Sequence, residues 1–324
     1  MSTTAQDPAV TPTAPPAPIK AKQRLGDRVF SGTALTAGVV ILVVLVAVAT
    51  FLIIQSIPAF ESDTSGNHIL RGDSFLSYVW PLVFGTLWAS FIALLLAAPL
   101  SIGIALFISH YAPRRLASLL GYIIDLLAAV PSVVFGLWGG LVLAPLLQPV
   151  YAWLNEHASW VPFFGGQVSP TGKTILTAAL VLTVMITPIM TAICREVFLQ
   201  TPKLHEEAAL ALGATRWEMV RMAVLPFARG GMVSAAMLAL GRALGETMAV
   251  TMVLSPSAVV SFLLLTSTNP TPIPANIALA FPEAHGTGVN TLIATGLILF
   301  IVTFAVNALA RWIVARRAEF SGAN

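Results

Sequence analysis

The run TALTAGVVILVVLVAVATFLIIQSI, residues 33–57, decides the class of fold. It lies inside a longer stretch, Val29 to Phe60, that holds no Asp, Glu, Lys or Arg. A helix of about 20 apolar residues crosses the hydrocarbon core of a bilayer, so this run is long enough for one membrane span. A polar segment precedes it and no small-residue cleavage site follows it, which favours an uncleaved first span over a removable signal peptide.

The composition of the whole chain also indicates a membrane protein. Of its 324 residues, 57% are hydrophobic and 10% are charged. An ordinary soluble domain has about 25% charged residues. The chain therefore lacks the polar surface of a soluble enzyme and the polarity of a disordered chain. Its single cysteine, Cys194, excludes an intrachain disulfide.

Uncharged or nearly uncharged runs recur along the rest of the chain. They predict six membrane spans, near residues 33–57, 78–108, 121–147, 174–195, 230–254 and 289–314. The Pro-rich run 255–282 contains no stretch long enough to cross, and we expect it to be interfacial or re-entrant. The sequence thus predicts an all-α integral membrane fold with a membrane domain at 29–317. A disordered Pro-rich tail, 1–28, precedes this domain and a short tail, 318–324, follows it.

The basic residues predict the orientation of these spans. With a cytoplasmic N-terminus, 14 of the 17 Lys and Arg fall in cytoplasmic segments, and only Arg71 and Lys173 lie outside. Arg242 is within the fifth span. Such an asymmetry is a strong positive-inside signal, so both termini are expected in the cytoplasm of a multi-pass protein of the plasma or inner membrane.

The longest polar segment, 195–229, lies between the fourth and fifth spans. Thr201-Pro202 is typical of a helix start, and Glu206 and Glu207 place acids where they suit the positive end of the helix dipole. Apolar residues recur at helical spacing on both sides of a glycine: Leu204, Ala208 and Leu212 before Gly213, then Trp217, Val220 and Val224. These patterns predict two short helices along the membrane surface. An interfacial helix without a partner has the same composition.

The same segment carries a spaced motif. Glu207-Ala208-Ala209, Gly213 and Leu225-Pro226 follow the pattern E-A-A-x3-G-x9-I-x-L-P, with Ala223 in place of the usual Ile. The segment resembles the EAA loop of ABC importer permeases. The resemblance implies that Glu207, Ala208, Ala209 and Gly213, with Glu206 beside them, contact a nucleotide-binding subunit and pass its ATP-driven closure to the spans.

Two further segments narrow the resemblance. AVPSVVFGLWG, residues 129–139, and GRALGETMAV, residues 241–250, are similar to segments of phosphate-specific permeases. The resemblance covers residues 25–317 and implies the type I ABC importer permease fold. It also implies a second, homologous permease, two cytoplasmic ATPase subunits that bind ATP and Mg²⁺, and an extracytoplasmic phosphate-binding protein. This chain itself is then a transport subunit without a cofactor and not an enzyme.

Two charged residues lie deep in the predicted fifth span. If that span starts near Gly230, Arg242 lies about 18 Å along it, near the bilayer midplane. An Arg there costs on the order of 2.5–3.5 kcal/mol, so it is expected to face a protein interior or an aqueous path. The i, i+4 spacing predicts Glu246 on the same helix face. Guanidinium N–H groups match phosphate oxygens, which makes Arg242 a candidate for contact with the anion and Glu246 a candidate for neutralising it. The alternative is a structural ion pair.

Hydroxyl side chains are further candidates for the pathway, and other functions fit the same sequence. Thr247, Ser132 and Thr187 are hydroxyl donors that belong to the candidate pathway. Another oxyanion such as sulfate or molybdate fits the same architecture, and an ion-coupled secondary transporter is a rival from another class. Gly172-Lys173-Thr174 resembles the end of a P-loop, but Gln167 stands where that motif needs its first glycine, so ATP hydrolysis by this chain is not expected. No metal-ligand spacing joins the histidines.

Overall fold

The computed structural model describes residues 25–61, 67–70 and 73–320. Most of these residues are helical. The α-helices are α1 (Leu25–Glu61), α2 (Phe75–Leu106), α3 (Arg114–Ala128), α4 (Ser132–Trp138), α5 (Ala144–Ala158), α6 (Ile175–Leu199), α7 (Lys203–Ala211), α8 (Arg216–Met219), α9 (Leu225–Leu244), α10 (Met248–Val253), α11 (Ile273–Ala280) and α12 (Thr287–Phe320). The two-residue strands β1 (Pro256–Ser257) and β2 (Asn269–Pro270) pair in parallel. The all-α prediction is confirmed.

Short π-helical and 3₁₀ turns join some of these helices. π-Helical turns follow α2 at Phe107–Tyr111, join α4 to α5 at Gly139–Leu143, and join α8 to α9 at Val220–Val224. A 3₁₀ turn, Phe281–Glu283, follows α11.

Six helical stretches among the described residues are long and apolar enough to cross a membrane, as the sequence predicts. They are Gly26–Phe60, Phe75–Tyr111, Ser132–Ala158, Ile175–Leu199, Arg216–Leu244 and Thr287–Trp312. The predicted tails are shorter than expected, since α1 begins at Leu25 and α12 continues to Phe320. The rest of both tails, residues 1–24 and 321–324, lies outside the described residues.

The predicted third span, residues 121–147, is wrong in its bounds. A helix does run through Gly121, but it ends at Ala128, and α4 begins only at Ser132. Pro131 explains the break: it has no N–H to donate and disfavours helical geometry in the residue before it. The third stretch that can cross a membrane is therefore Ser132–Ala158, and α3 is a separate helix.

The predicted fifth span, residues 230–254, is also wrong in its bounds. Its helix starts fourteen residues earlier, at Arg216, and ends at Leu244. Gly245 follows in a non-helical conformation, and α10 begins at Met248 after this break. A side chain at the break caps the first turn of α10: the Glu246 Oε1 accepts a hydrogen bond from the Ala249 N–H at 3.1 Å.

Contacts divide the chain into two units, residues 1–50 and 51–324. In the second unit the hydrophobic core centres on α6, whose Leu182, Met185, Ile186 and Met190 are fully buried or nearly so. α6 packs against α2, α3 and α9. The end of this unit where α6 finishes and α7 and α8 lie is called the loop face below, and the end where α6 begins is the opposite face.

The segment between α10 and α12 stays at the opposite face. Asn269 binds the start of α6, because its Oδ1 accepts from the Ile175 N–H at 2.9 Å. The Thr86 Oγ1 of α2 accepts from the Ile273 N–H at 2.9 Å. α11 has eight residues, too few to cross a bilayer. The prediction that this Pro-rich segment does not form a span is confirmed.

Candidate functional site

Two short helices form the loop between α6 and α9, as the sequence predicts. α7 ends at Ala211, and Gly213 has φ +87°, a left-handed conformation that costs other residues free energy. Thr215 then starts α8 through a capping box: its Oγ1 accepts from the Glu218 N–H, and the Glu218 carboxylate accepts from the Thr215 N–H at 2.8 Å. The glycine and the cap therefore fix the angle between α7 and α8.

Part of this loop exposes apolar side chains to solvent. Leu212 is 90% exposed, Leu204 is 73% exposed and Trp217 is 56% exposed. Glu207 and Ala208 are exposed beside them. We call these five residues, Leu204, Glu207, Ala208, Leu212 and Trp217, the coupling surface. Its large apolar groups are mostly exposed within the described residues, which is typical of a surface that a second protein covers.

The rest of the loop is attached to the core. Val220 and Val224 are fully buried, and Ala209 packs against the core from α7. The carboxylate of Glu206 lies 3.6 Å from His110 Nε2, at the end of α2. His110 Nδ1 is in turn 2.7 Å from the Ser109 Oγ. From sequence, Glu206 was expected to suit the helix dipole and to lie beside the contact with the nucleotide-binding subunit. Its contact with His110 was not predicted, because residues so far apart in the chain show no spacing signal.

The predicted pairing of Arg242 with Glu246 on one helix face is wrong. Arg242 is in the last turn of α9, which ends before Glu246, so the i, i+4 relation does not hold. No Arg242–Glu246 ion pair within 4.0 Å occurs in the part of the chain that the structure describes. Arg242 is exposed, whereas Glu246 is 9% exposed and caps α10. Thr247 is half-buried next to it.

Arg242 lines a cavity of about 1140 Å³ beside α9 and α12. The wall is mainly apolar, and its polar side chains are Ser234, Arg242, Asn307 and Arg311. We call it the arginine cavity. Of the residues proposed for the pathway from sequence, only Arg242 lines it. Asn307 and Arg311 were not predicted as site residues. Their i, i+4 spacing in an apolar helix does indicate two polar side chains on the same helix face.

Thr187 and Ser132 lie elsewhere in the core. The Thr187 hydroxyl donates to the Thr183 carbonyl at 2.7 Å, and the Thr187 carbonyl accepts from the Ser101 hydroxyl at 3.2 Å. Thr187 is therefore engaged within its own helix and with α2. Ser132 is the first residue of α4 and is half-buried. Neither residue lines the arginine cavity.

The two segments that resemble phosphate-specific permeases contact each other. α4, from the first segment, packs against α10, from the second. A Cβ on Gly136 would lie 2.8 Å from the Ala249 Cα, and one on Gly140 would lie 2.8 Å from the Met252 carbonyl oxygen. Only glycine permits this approach of the two backbones. Close packing thus holds the short helix that follows Arg242 and Glu246.

The described residues contain no group of three or more His, Cys, Asp or Glu side chains that could hold a metal ion. The described residues combine six helical stretches that are long enough to cross a membrane, an exposed apolar surface on one loop, and a cavity lined by two arginines. This combination defines a helical multi-span membrane protein with a candidate contact surface on one loop and a candidate ligand cavity.

Comparison with known proteins agrees with that class. Residues 97–319 match the family model for binding-protein-dependent transport system inner membrane components. The phosphate transport system permease protein PstC 2 of Mycobacterium tuberculosis is 45% identical over 306 residues, which cover 91% of this chain and 94% of that protein. PstC of Mesorhizobium japonicum is 39% identical over 308 residues, which cover 92% of this chain and 93% of that protein. An inward-facing MetNI methionine ABC transporter structure aligns at TM-score 0.47 and 17% identity, covering 71% of this chain and 94% of that chain.

The chain belongs to the binding-protein-dependent transport system inner membrane components and, within them, to the PstC permeases. The family predicted from the EAA loop is thereby confirmed, together with the type I ABC importer permease fold.

Proposed function

We propose that this chain is the PstC-type permease of an ATP-driven importer of inorganic phosphate and forms half of the translocation pathway. The observation that carries this proposal is the match to phosphate permeases over nearly their whole length. Arg242 adds chemical support, because its guanidinium offers the fixed N–H donors that suit phosphate oxygens. Arg242 lies in the wall of a cavity beside α9 and α12, which both belong to stretches that can cross the membrane.

In this proposal the coupling surface receives the motion of an ATPase. A PstB-like pair of ATPase subunits binds ATP and Mg²⁺, and this chain binds neither. One of these subunits covers Leu212, Leu204 and Trp217 and moves α7. The loop transmits the motion because Val220 and Val224 anchor it in the core and a π-helical turn joins α8 directly to α9. α9 carries Arg242, so closure of the ATPase reaches the anion contact along one helix.

Membership of the PstC permeases also supports the remaining partners of this proposal. A PstA-like permease supplies the other half of the pathway, and a PstS-like phosphate-binding protein delivers phosphate at the opposite face. The loop face is cytoplasmic, as are both termini, and the protein lies in the plasma or inner membrane. The positive-inside distribution of Lys and Arg supports this orientation.

The substrate is tested by uptake in vesicles that contain the whole transporter. We expect labelled phosphate to enter only with ATP inside and the binding protein outside, and unlabelled sulfate or molybdate in excess to compete weakly. Equal competition by sulfate would contradict phosphate as the substrate. Uptake by this chain without ATPase subunits would contradict the ABC importer itself and favour a secondary transporter.

A further inference from the structure

The arginine cavity follows one face of α9 and one face of α12. On α9 its polar lining residues are Ser234 and Arg242, eight residues or about 12 Å apart along the axis. On α12 the lining runs from Phe304 through Asn307 to Arg311, about 10 Å. Its volume of about 1140 Å³ exceeds the roughly 300–1,000 Å³ of ligand pockets, so an anion fits together with water.

The two arginines lie toward different ends of this cavity. α9 leaves the loop face, so Arg242 is the α9 lining residue farthest from that face. α12 starts near the opposite face, where its Ala294 packs in one cluster with Phe75 of α2. Arg311 is therefore the α12 lining residue nearest the loop face, and Asn307 precedes it by one helical turn.

Neither arginine has an internal counter-charge. Among the side chains that the structure describes, no carboxylate lies within 4.0 Å of Arg242 or Arg311, and no hydrogen bond engages either guanidinium. Two cations without a counter-charge in one cavity repel each other. An anion with more than one negative charge relieves both, and Asn307 adds amide N–H donors for its oxygens.

Another arginine of α12, Arg316, differs from Arg311 because its guanidinium has a partner within the chain. Arg316, one turn and a half further along, stacks on the ring of Trp312 with its Cζ 4.1 Å from the ring centroid. That contact gives its charge a partner and does not involve the cavity. Both arginines belong to the cytoplasmic basic residues that the positive-inside distribution predicts, but only Arg311 lines the arginine cavity.

We propose that Arg311 and Asn307 form a second phosphate-binding step in the arginine cavity, through which the anion passes from Arg242 toward the loop face. This inference rests on the proposed function. It assigns to α12 a substrate role that the motifs on α9 and α4 do not suggest.

Uptake by the whole transporter in vesicles tests the step. Arg311→Gln is expected to lower phosphate uptake about tenfold and Asn307→Ala about threefold, since each loses hydrogen bonds to a charged ligand. ATP hydrolysis should stay within about twofold of wild type, because neither residue lies on the coupling surface. Arg316→Gln is the matched control and should leave uptake unchanged. Arg311→Gln uptake equal to that of Arg316→Gln would overturn the proposal.

A labelling experiment distinguishes anion attraction by the charge of Arg311 from a structural role of this residue. Ala308 lines the cavity, and the native Cys194 is buried and does not compete for reagent. In an Ala308→Cys variant of the assembled transporter, we expect an anionic thiol reagent to react several-fold faster than a cationic one of equal size, and phosphate to slow it. Adding Arg311→Gln should bring the two rates close together. An unchanged rate ratio would contradict a site built on the charge of Arg311.

The two proposals fail in different ways. If Arg242→Ala stops uptake while Arg311→Gln behaves as Arg316→Gln, the anion path exists but does not include α12. If uptake is normal in both Arg242→Ala and Arg311→Gln, the proposed path on α9 is itself wrong.

Discussion

At the loop face, the coupling surface turns Leu204, Leu212 and Trp217 toward solvent, whereas the arginine cavity holds Arg242 and Arg311 beside apolar side chains. In the first region apolar side chains are exposed to solvent, and in the second region arginines lack a counter-charge among the described side chains. Exposed apolar groups of this kind mark a surface that a protein can cover, and arginines without a counter-charge favour an anion. We therefore propose a protein partner for the coupling surface and a small anionic ligand for the arginine cavity.

Leu212→Asp gives the largest effect that separates the two regions. A charge at the centre of the coupling surface prevents burial against the ATPase, so we expect at least about a tenfold loss of ATPase subunits in co-purification. Uptake and stimulated ATP hydrolysis should fall together. Trp160→Asp is the matched control, since Trp160 is also largely exposed but precedes α6 near the opposite face. Equal ATPase recovery with Leu212→Asp and Trp160→Asp would contradict an ATPase contact at the coupling surface.

Gly136→Ala tests whether close packing holds the segment next to the cavity. The added methyl meets the Ala249 backbone, so α4 and α10 must separate, at a cost of about 1–3 kcal/mol in the free energy of unfolding. Thermal unfolding in detergent measures it. Gly103→Ala is the control: its Cβ has open space and sits inside α2. We expect that variant to be as stable as wild type or up to about 1 kcal/mol more stable.

Glu246→Ala and Glu246→Gln separate the cap of α10 from the charge of Glu246. Alanine removes the acceptor of the Ala249 N–H, and the loss of such a cap costs about 1 kcal/mol. Glutamine keeps an acceptor oxygen and should retain most of the stability. Lost uptake in a stable Glu246→Gln variant would show that its charge serves transport. Equal losses of stability in the two variants would argue against the cap.

Glu206→Gln is expected to have the smallest effect. Its partly exposed contact with His110 is worth less than about 1 kcal/mol, so ATPase recovery should fall less than about threefold. Gln keeps the helical shape of α7, and the same measurement as for Leu212→Asp applies. A loss as large as that of Leu212→Asp would make the α2 contact, and not the coupling surface, the main determinant of docking.

The loop could be predicted from sequence because its determinants are local. Gly213, the Thr215 cap and the apolar spacing around them specify two short helices whatever the rest of the fold does. The six spans were predictable for a similar reason, since length and hydrophobicity suffice to define a span.

The bounds of two spans and the cavity could not be predicted in this way. No charged residue lies next to Pro131, and the apolar run around Gly245 contains only the charges of Arg242 and Glu246, so hydropathy does not register where either helix breaks. The pairing of Arg242 with Glu246 followed from assuming one unbroken helix. The pairing of α9 with α12, which brings Arg311 into the cavity, depends on packing between elements that are far apart in the chain.

The central claim is that α9 carries the anion contact while the loop carries the ATPase contact. The most direct measurement is of phosphate uptake and ATP hydrolysis by the Arg242→Ala transporter in the same vesicles. We predict that the complex assembles, that ATP hydrolysis persists, and that uptake falls at least about a hundredfold because the anion loses its charged donor. Uptake at the wild-type rate, with hydrolysis intact, would contradict the claim.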